Sequence, residues 1–146
     1  MSDYLKANGT TTFDHEKLHV YQAGLEFVAF AAALAKELKG EYRSTRDQLI
    51  RSSQSVVLNI AEGNGKHSDA ERKRFFEIAR GSAMESAATL DVIVACGIVT
   101  SEAIAPGKLL LLRMVSMLSK MTVVRKGEAR EAPAVAYNAL YDETIE

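Results

Sequence analysis

His15-Glu16-Lys17-Leu18-His19 spells the sharpest chemistry in this chain. In H-E-x-x-H, two histidines one helical turn apart hold a zinc ion while the glutamate activates a water, the arrangement of a small hydrolase. A further ligand is needed. Glu37 and Glu41 stand about 27 Å or more up a continuous helix, and His67 is the only other histidine. Acidic residues are also common in a first helical turn, where they meet the positive end of the helix dipole. Glu16 with His19 spells half of a di-iron E-x-x-H pair whose second copy is absent. The sequence therefore predicts no catalytic, metal or cofactor-binding residues, and a zinc-dependent hydrolase using His15, Glu16 and His19 stands as the alternative reading.

Three further sets carry weaker signals. Gln48, Ser52, Ser55, Asn59 and Glu62 recur at steps of four and three, a polar stripe on one helical face. Such a stripe either lines a channel or meets a partner, or it is a solvated face whose hydroxyls bond backbone carbonyls. Glu85 sits among Ala83, Met84, Ala87 and Leu90, which predicts a partly buried carboxylate paired with Arg51 or Arg80 rather than a catalytic acid. Arg43, Arg46, Arg51, Lys66, Arg72, Lys73, Arg74 and Arg80 face Asp47, Glu62, Asp69, Glu71 and Glu77, a local net charge of +3. Repeated around an oligomer, these cations would make salt-sensitive contacts with nucleic acid; the bland reading is a solvated face with helical salt pairs.

The elements that must position these residues are helices. Phe13 and Leu18 occupy staple positions around a capping Asp14, opening helix 1, which runs to about Leu38 with Gly40 as its stop. Thr45-x-x-Gln48 is a capping box for helix 2, which should run to Glu62 before Gly63-Asn64-Gly65. Ser68-x-x-Glu71 is a second box, opening helix 3 from Asp69 to about Cys96, with Gly97 in the left-handed closing position. Thr100 or Ser101 could open helix 4, yet Pro106 belongs in a first turn, so its regular part is expected from near Ala105 to near Arg125. Short connections between four helices predict an all-α, antiparallel up-down four-helix bundle in residues 13–125. The segment 1–12 reads as flexible, and the tail 126–146, with a net charge of −3, as mobile or loosely docked.

Composition agrees with one helical domain. The 146 residues hold 47% apolar but only 7% aromatic side chains and no Trp, so the core is built from Ala, Leu, Val and Met. A net charge of −1 argues against the whole chain being a polyanion binder. Cys96 is the only cysteine and the start is polar, which points to a cytoplasmic protein. The most apolar run, from Ala23 to Ala35, is interrupted by Glu26 and falls short of the ~20 residues a membrane span needs.

Helices 1 and 4 carry more apolar circumference than one core contact requires. Leu18, Tyr21, Leu25, Val28, Ala32 and Ala35 form a core stripe, and Val20, Phe27, Ala31 and Leu34 form a second. Leu109 to Leu112 are consecutive leucines, extended by Met117 and its neighbours. A large apolar face left in water is an association site. Val20, Phe27, Ala31, Leu34, Leu110 and Met117 are therefore the expected contacts of a homo-oligomer, the alternative being a fully packed monomer with the tail lying over the extra stripe.

Two segments carry a resemblance. Gln48 to Gly63, with Ser55, Asn59-Ile60-Ala61-Glu62-Gly63, and Arg74 to Leu90, with Arg80-Gly81-Ser82-Ala83 and Glu85, closely resemble the four-helix-bundle family first associated with intervening sequences in bacterial 23S rRNA genes. Leu18-His19-Val20-Tyr21-Gln22 is similar to that family's helix 1 start. The resemblance implies ring-like homopentamers, and a partner that is RNA, DNA or a nucleic-acid enzyme; it implies no activity. The family commonly carries a proline where this chain reads Val56-Val57-Leu58 ahead of Asn59, which predicts a straighter helix 2.

Overall fold

Four helices build residues 12–123, the part of the chain that the computed structural model describes: α1 (His19–Ala35), α2 (Arg43–Asn64), α3 (Asp69–Ala95) and α4 (Ser101–Met121). Single 3-10 turns, Asp14–Lys17 and Gly40–Tyr42, precede α1 and α2, and there is no strand among the described residues. The fold is all-α and forms one compact helical domain, as its composition predicts. Among the described residues no helix is long and apolar enough to cross a membrane. The expectations for the N-terminal segment up to Thr11, for the tail, and for an end of helix 4 at Arg125 lie outside the described residues.

Where a side chain caps a free amide, sequence and structure agree. Ser68 Oγ accepts from Glu71 N–H at 3.2 Å and Thr100 Oγ1 from Ala103 N–H at 3.3 Å. Gly97 takes φ 74°, and Ile98 N–H donates to Ile93 O while Gly97 N–H donates to Val94 O, the paired bonds that satisfy the last carbonyls of a helix.

Elsewhere the boundaries move. The first helix is not continuous from Asp14: Leu18, at ψ 126°, separates the 3-10 turn from α1. Glu16, not Asp14, caps that turn by accepting from Phe13 N–H at 2.8 Å, while Asp14 accepts from Asn64 Nδ2. Thr45 lies inside α2, which starts two residues earlier because the turn from Gly40, at φ 60°, already sets its first residues. Gly63 does not break α2. It is buried, and a Cβ there would lie 2.9 Å from Phe75 Cβ, so the glycine is what lets α3 come close. α4 begins at Ser101, with Pro106 exposed inside it; the proline forgoes only one bond, to the Glu102 carbonyl, next to the solvated first turn.

The two apolar stripes of α1 exchange roles. Val20, Phe27, Ala31 and Leu34 are buried within the subunit, whereas of the expected core stripe only Ala35 is buried, Leu18, Tyr21, Leu25 and Val28 being half-buried and Ala32 exposed. Gly24 explains the choice. It lies in line with the first set, and a Cβ there would stand 2.6 Å from Val57 Cγ1 and 3.5 Å from Met114 Sδ. The helices approach most closely on that side, so it becomes the core. Leu110 and Met117 are half-buried against the same core. The first four of the expected oligomer contacts are therefore core residues, not surface.

Candidate functional site

The middle of the polar stripe of α2, Ser52 and Ser55, closes onto α3, while Glu62 at its end is exposed. Ser52 Oγ meets Ser86 Oγ at 2.8 Å, and Ser55 Oγ meets Ser82 Oγ at 2.8 Å. As the residue number rises along α2 it falls along α3, so the two helices run in opposite directions at these contacts. Asn59 Nδ2 donates to Ser55 O and to Ser55 Oγ at 2.8 and 3.1 Å, extending the network by one turn. Ser52, Ser82 and Ser86 are buried, and a buried hydroxyl without a partner would cost about 1–3 kcal/mol. Each has one here. The partner serines sit at 82 and 86, a helical turn apart, in mirror register to 52 and 55; that complementarity is the signal a reading of α2 alone misses.

At the end of this seam Gln48 Nε2 donates to Glu85 Oε1, and Gln48 Oε1 accepts from Arg51 at 2.8 Å. Glu85 is exposed rather than partly buried, and Gln48 stands between it and the expected Arg51. Arg80 is half-buried and immediately precedes Gly81, whose outer side is open. Glu62 closes the stripe in an exposed pair with Lys66 at 3.2 Å.

The eight cations do not form one patch. Arg43, Arg46 and Arg51 lie on the first half of α2, while Lys66, Arg72, Lys73 and Arg74 gather at the α2–α3 turn, roughly 20–32 Å away along the helix. At the turn, Lys66 and Arg74 flank the Phe75 ring at 5.2 and 6.0 Å, and Arg72 stacks on Phe76 at 5.5 Å. Arg72 also donates to Asn64 O at 2.9 Å, tying down the end of α2. Lys66 and Lys73 pair with Glu62 and Glu77, and Arg46 with Asp47. Arg74 makes no ion pair among the described residues.

The H-E-x-x-H segment is not presented on one helical turn. His15 belongs to the 3-10 turn, stacked on Phe13 at 5.7 Å and edge-on to Tyr21 at 4.8 Å. His19 opens α1 beyond the break at Leu18. No group of three or more His, Cys, Asp or Glu among the described residues is placed to hold a metal ion.

Comparison with known proteins fits this architecture. Comparison with curated proteins gives no match. A solved structure of a protein of unknown function from the S23 ribosomal protein family of Bacteroides thetaiotaomicron is similar, with 23% identity and a TM-score of 0.67 over 72% of this chain and 99% of that one; this likeness speaks to the fold alone. The model of the family described as 23S rRNA-intervening sequence protein matches residues 16–120, spanning α1 to α4 and both segments that carry the serine seam. The chain belongs to the 23S rRNA-intervening sequence protein family.

Proposed function

We propose that this chain is a non-enzymatic, self-assembling scaffold of the cytoplasm. Its subunit is an antiparallel up-down bundle that forms a ring of copies, five by the family resemblance, and presents its basic turn to nucleic acid or a nucleic-acid enzyme. The observation that carries the reading is the outward face of α3. Ile78 is 41% exposed and Val92 49%, on the side of the helix that also bears Gly81 and Ala88. A Cβ at Gly81 would meet nothing within 4 Å. A glycine in mid-helix costs about 1 kcal/mol relative to alanine, and packing within the subunit gives no reason for it. Close approach of a second helix does.

The basic turn supports the partner class: Lys66 and Arg74 flank Phe75 and Arg72 stacks on Phe76, with Lys73 next to them in the chain, and in a ring each weak phosphate contact is repeated. Sedimentation equilibrium tests the assembly. The protein should sediment as several subunits, and Gly81→Leu should return it to one subunit with its helix content intact. A wild-type chain that stays a single subunit at high concentration would sink the proposal. In gel shifts, RNA or DNA binding should fall steeply between low and moderate salt; no shift at low salt removes nucleic acid as the partner.

A further inference from the structure

Ahead of α1 an aromatic ring is held out in water in a fixed place. Phe13 is 74% exposed, yet its backbone is pinned on both sides: its N–H donates to Glu16 Oε2 at 2.8 Å, and its carbonyl accepts from Glu16 N–H at 3.1 Å. The ring lies on His15 at 5.7 Å with 12° between the planes, and His15 is edge-on to Tyr21. Phe13 thus ends a short pile of rings with its outer face open. A phenylalanine in this position stabilises the fold far less than a buried one, and its face is free to meet a flat apolar ligand.

Asn64 joins this pile to the basic turn. Its Nδ2 donates to Asp14 Oδ2 at 3.2 Å, one residue from Phe13, and its carbonyl accepts from Arg72 at 2.9 Å. Around the turn, Lys66 is paired with Glu62 and Lys73 with Glu77, but Arg74 makes no ion pair among the described residues. Its guanidinium, exposed beside Phe75, is left for an outside anion. Phe75 itself is half-buried with Lys66 and Arg74 at its ring, so the open ring at this end of the subunit is Phe13.

An open aromatic face and an unpaired guanidinium match the two parts of a nucleotide, its base and its phosphate. We infer that this end binds single-stranded nucleic acid, a base stacking on Phe13 while Arg74 meets the backbone phosphates. In a duplex the base faces are covered by their neighbours, and a ring reaches one only by unstacking it; in a single strand every base offers its face. The inference rests on the nucleic-acid reading of the basic turn and narrows it to one substrate class. Phe13 and His15 precede residues 16–120, which the family model matches, so the ring pile is a property of this chain and not of the matched segment.

Fluorescence anisotropy with the full chain at low salt tests it, using a labelled RNA about 12 nucleotides long, within the usual footprint of single-strand sites, a DNA strand of the same sequence, and the DNA duplex. Both single strands should bind at least about tenfold more tightly than the duplex, because stacking reads the base face and not the sugar. Phe13→Leu keeps an apolar side chain at an exposed position but removes the π face; it should weaken single-strand binding about tenfold and leave duplex binding unchanged, and Phe13→Trp should bind strands as tightly as the wild type. Duplex binding as tight as single-strand binding, or single-strand binding untouched by Phe13→Leu, would overturn the inference while leaving nucleic acid as the partner. Binding of none of the three probes would remove the partner class itself, and this inference with it.

Discussion

Midway along α2 and α3 the backbones are tied by hydroxyls, and only near their turn does a glycine, Gly63, face an aromatic ring, whereas α1 and α4 meet through a glycine and a ring. The serine pairs Ser52–Ser86 and Ser55–Ser82 are directional: sliding α2 along α3 by one residue would strand buried oxygens. On the other side, Gly107 faces Phe30, and a Cβ added to the glycine would stand 2.3 Å from Phe30 Cε1. That contact depends on shape alone. The difference teaches that one subunit solves close helix packing twice: by pairing small polar groups where register must be fixed, and by removing a side chain where a large ring must be seated.

The sharpest way to break the shape-dependent side is Gly107→Val. The ring of Phe30 cannot swing freely, because it stacks on the buried Phe27 at 6.0 Å between centroids. Overpacking of this kind costs about 3 kcal/mol, and urea unfolding should show the midpoint fall accordingly. Adding Phe30→Leu should recover roughly 1 kcal/mol or more, as expected for residues in contact. An unchanged midpoint in Gly107→Val would mean that the glycine is not what seats the ring.

On the directional side, a double-mutant cycle measures how far the two hydroxyls act as a pair. Ser86 is fully buried and its hydroxyl has Ser52 as partner; Ser52 Oγ also reaches Leu49 O at 3.3 Å. Either Ser→Ala change alone should cost about 1 kcal/mol, and the double change should cost less than the sum by at least about 0.5 kcal/mol, because removing both hydroxyls leaves no stranded oxygen. Chemical denaturation of the four proteins measures it. Strict additivity would show that the hydroxyls do not act as a pair.

These two seams were unequally legible in the sequence. Caps whose chemistry is complete within four residues, Ser68 to Glu71 and the left-handed Gly97, appear in the structure where the spacing predicts them. Thr45-x-x-Gln48 has the same local form, yet the preceding Gly40–Tyr42 turn has already started α2, and local form cannot reveal an upstream start. The stripe of α2 was visible as a period, but its meaning depended on Ser82 and Ser86 some thirty residues on. The choice between the two stripes of α1 was a tertiary matter as well, settled by which side Gly24 opens to Val57 and Met114. For the H-E-x-x-H segment, its helical spacing held only as a pattern of letters, because the backbone breaks at Leu18 between the two histidines.

A third contact, between α3 and α4, is weaker than either. Lys108 Nζ donates to Asp91 Oδ1 at 2.6 Å, with side chains 38% and 63% exposed. Unlike the serine pairs, this bond crosses a solvated rim, where water competes for both charges and salt screens them. Lys108→Met should therefore cost no more than about 0.2–1 kcal/mol, and the difference from wild type should shrink in 1 M salt, while the Ser52–Ser86 coupling should persist there. Thermal unfolding of both sets at two salt concentrations separates the two kinds of polar contact. A Lys108→Met deficit that survives high salt would place this pair with the buried hydroxyls, as a register device between α3 and α4 rather than a surface bond.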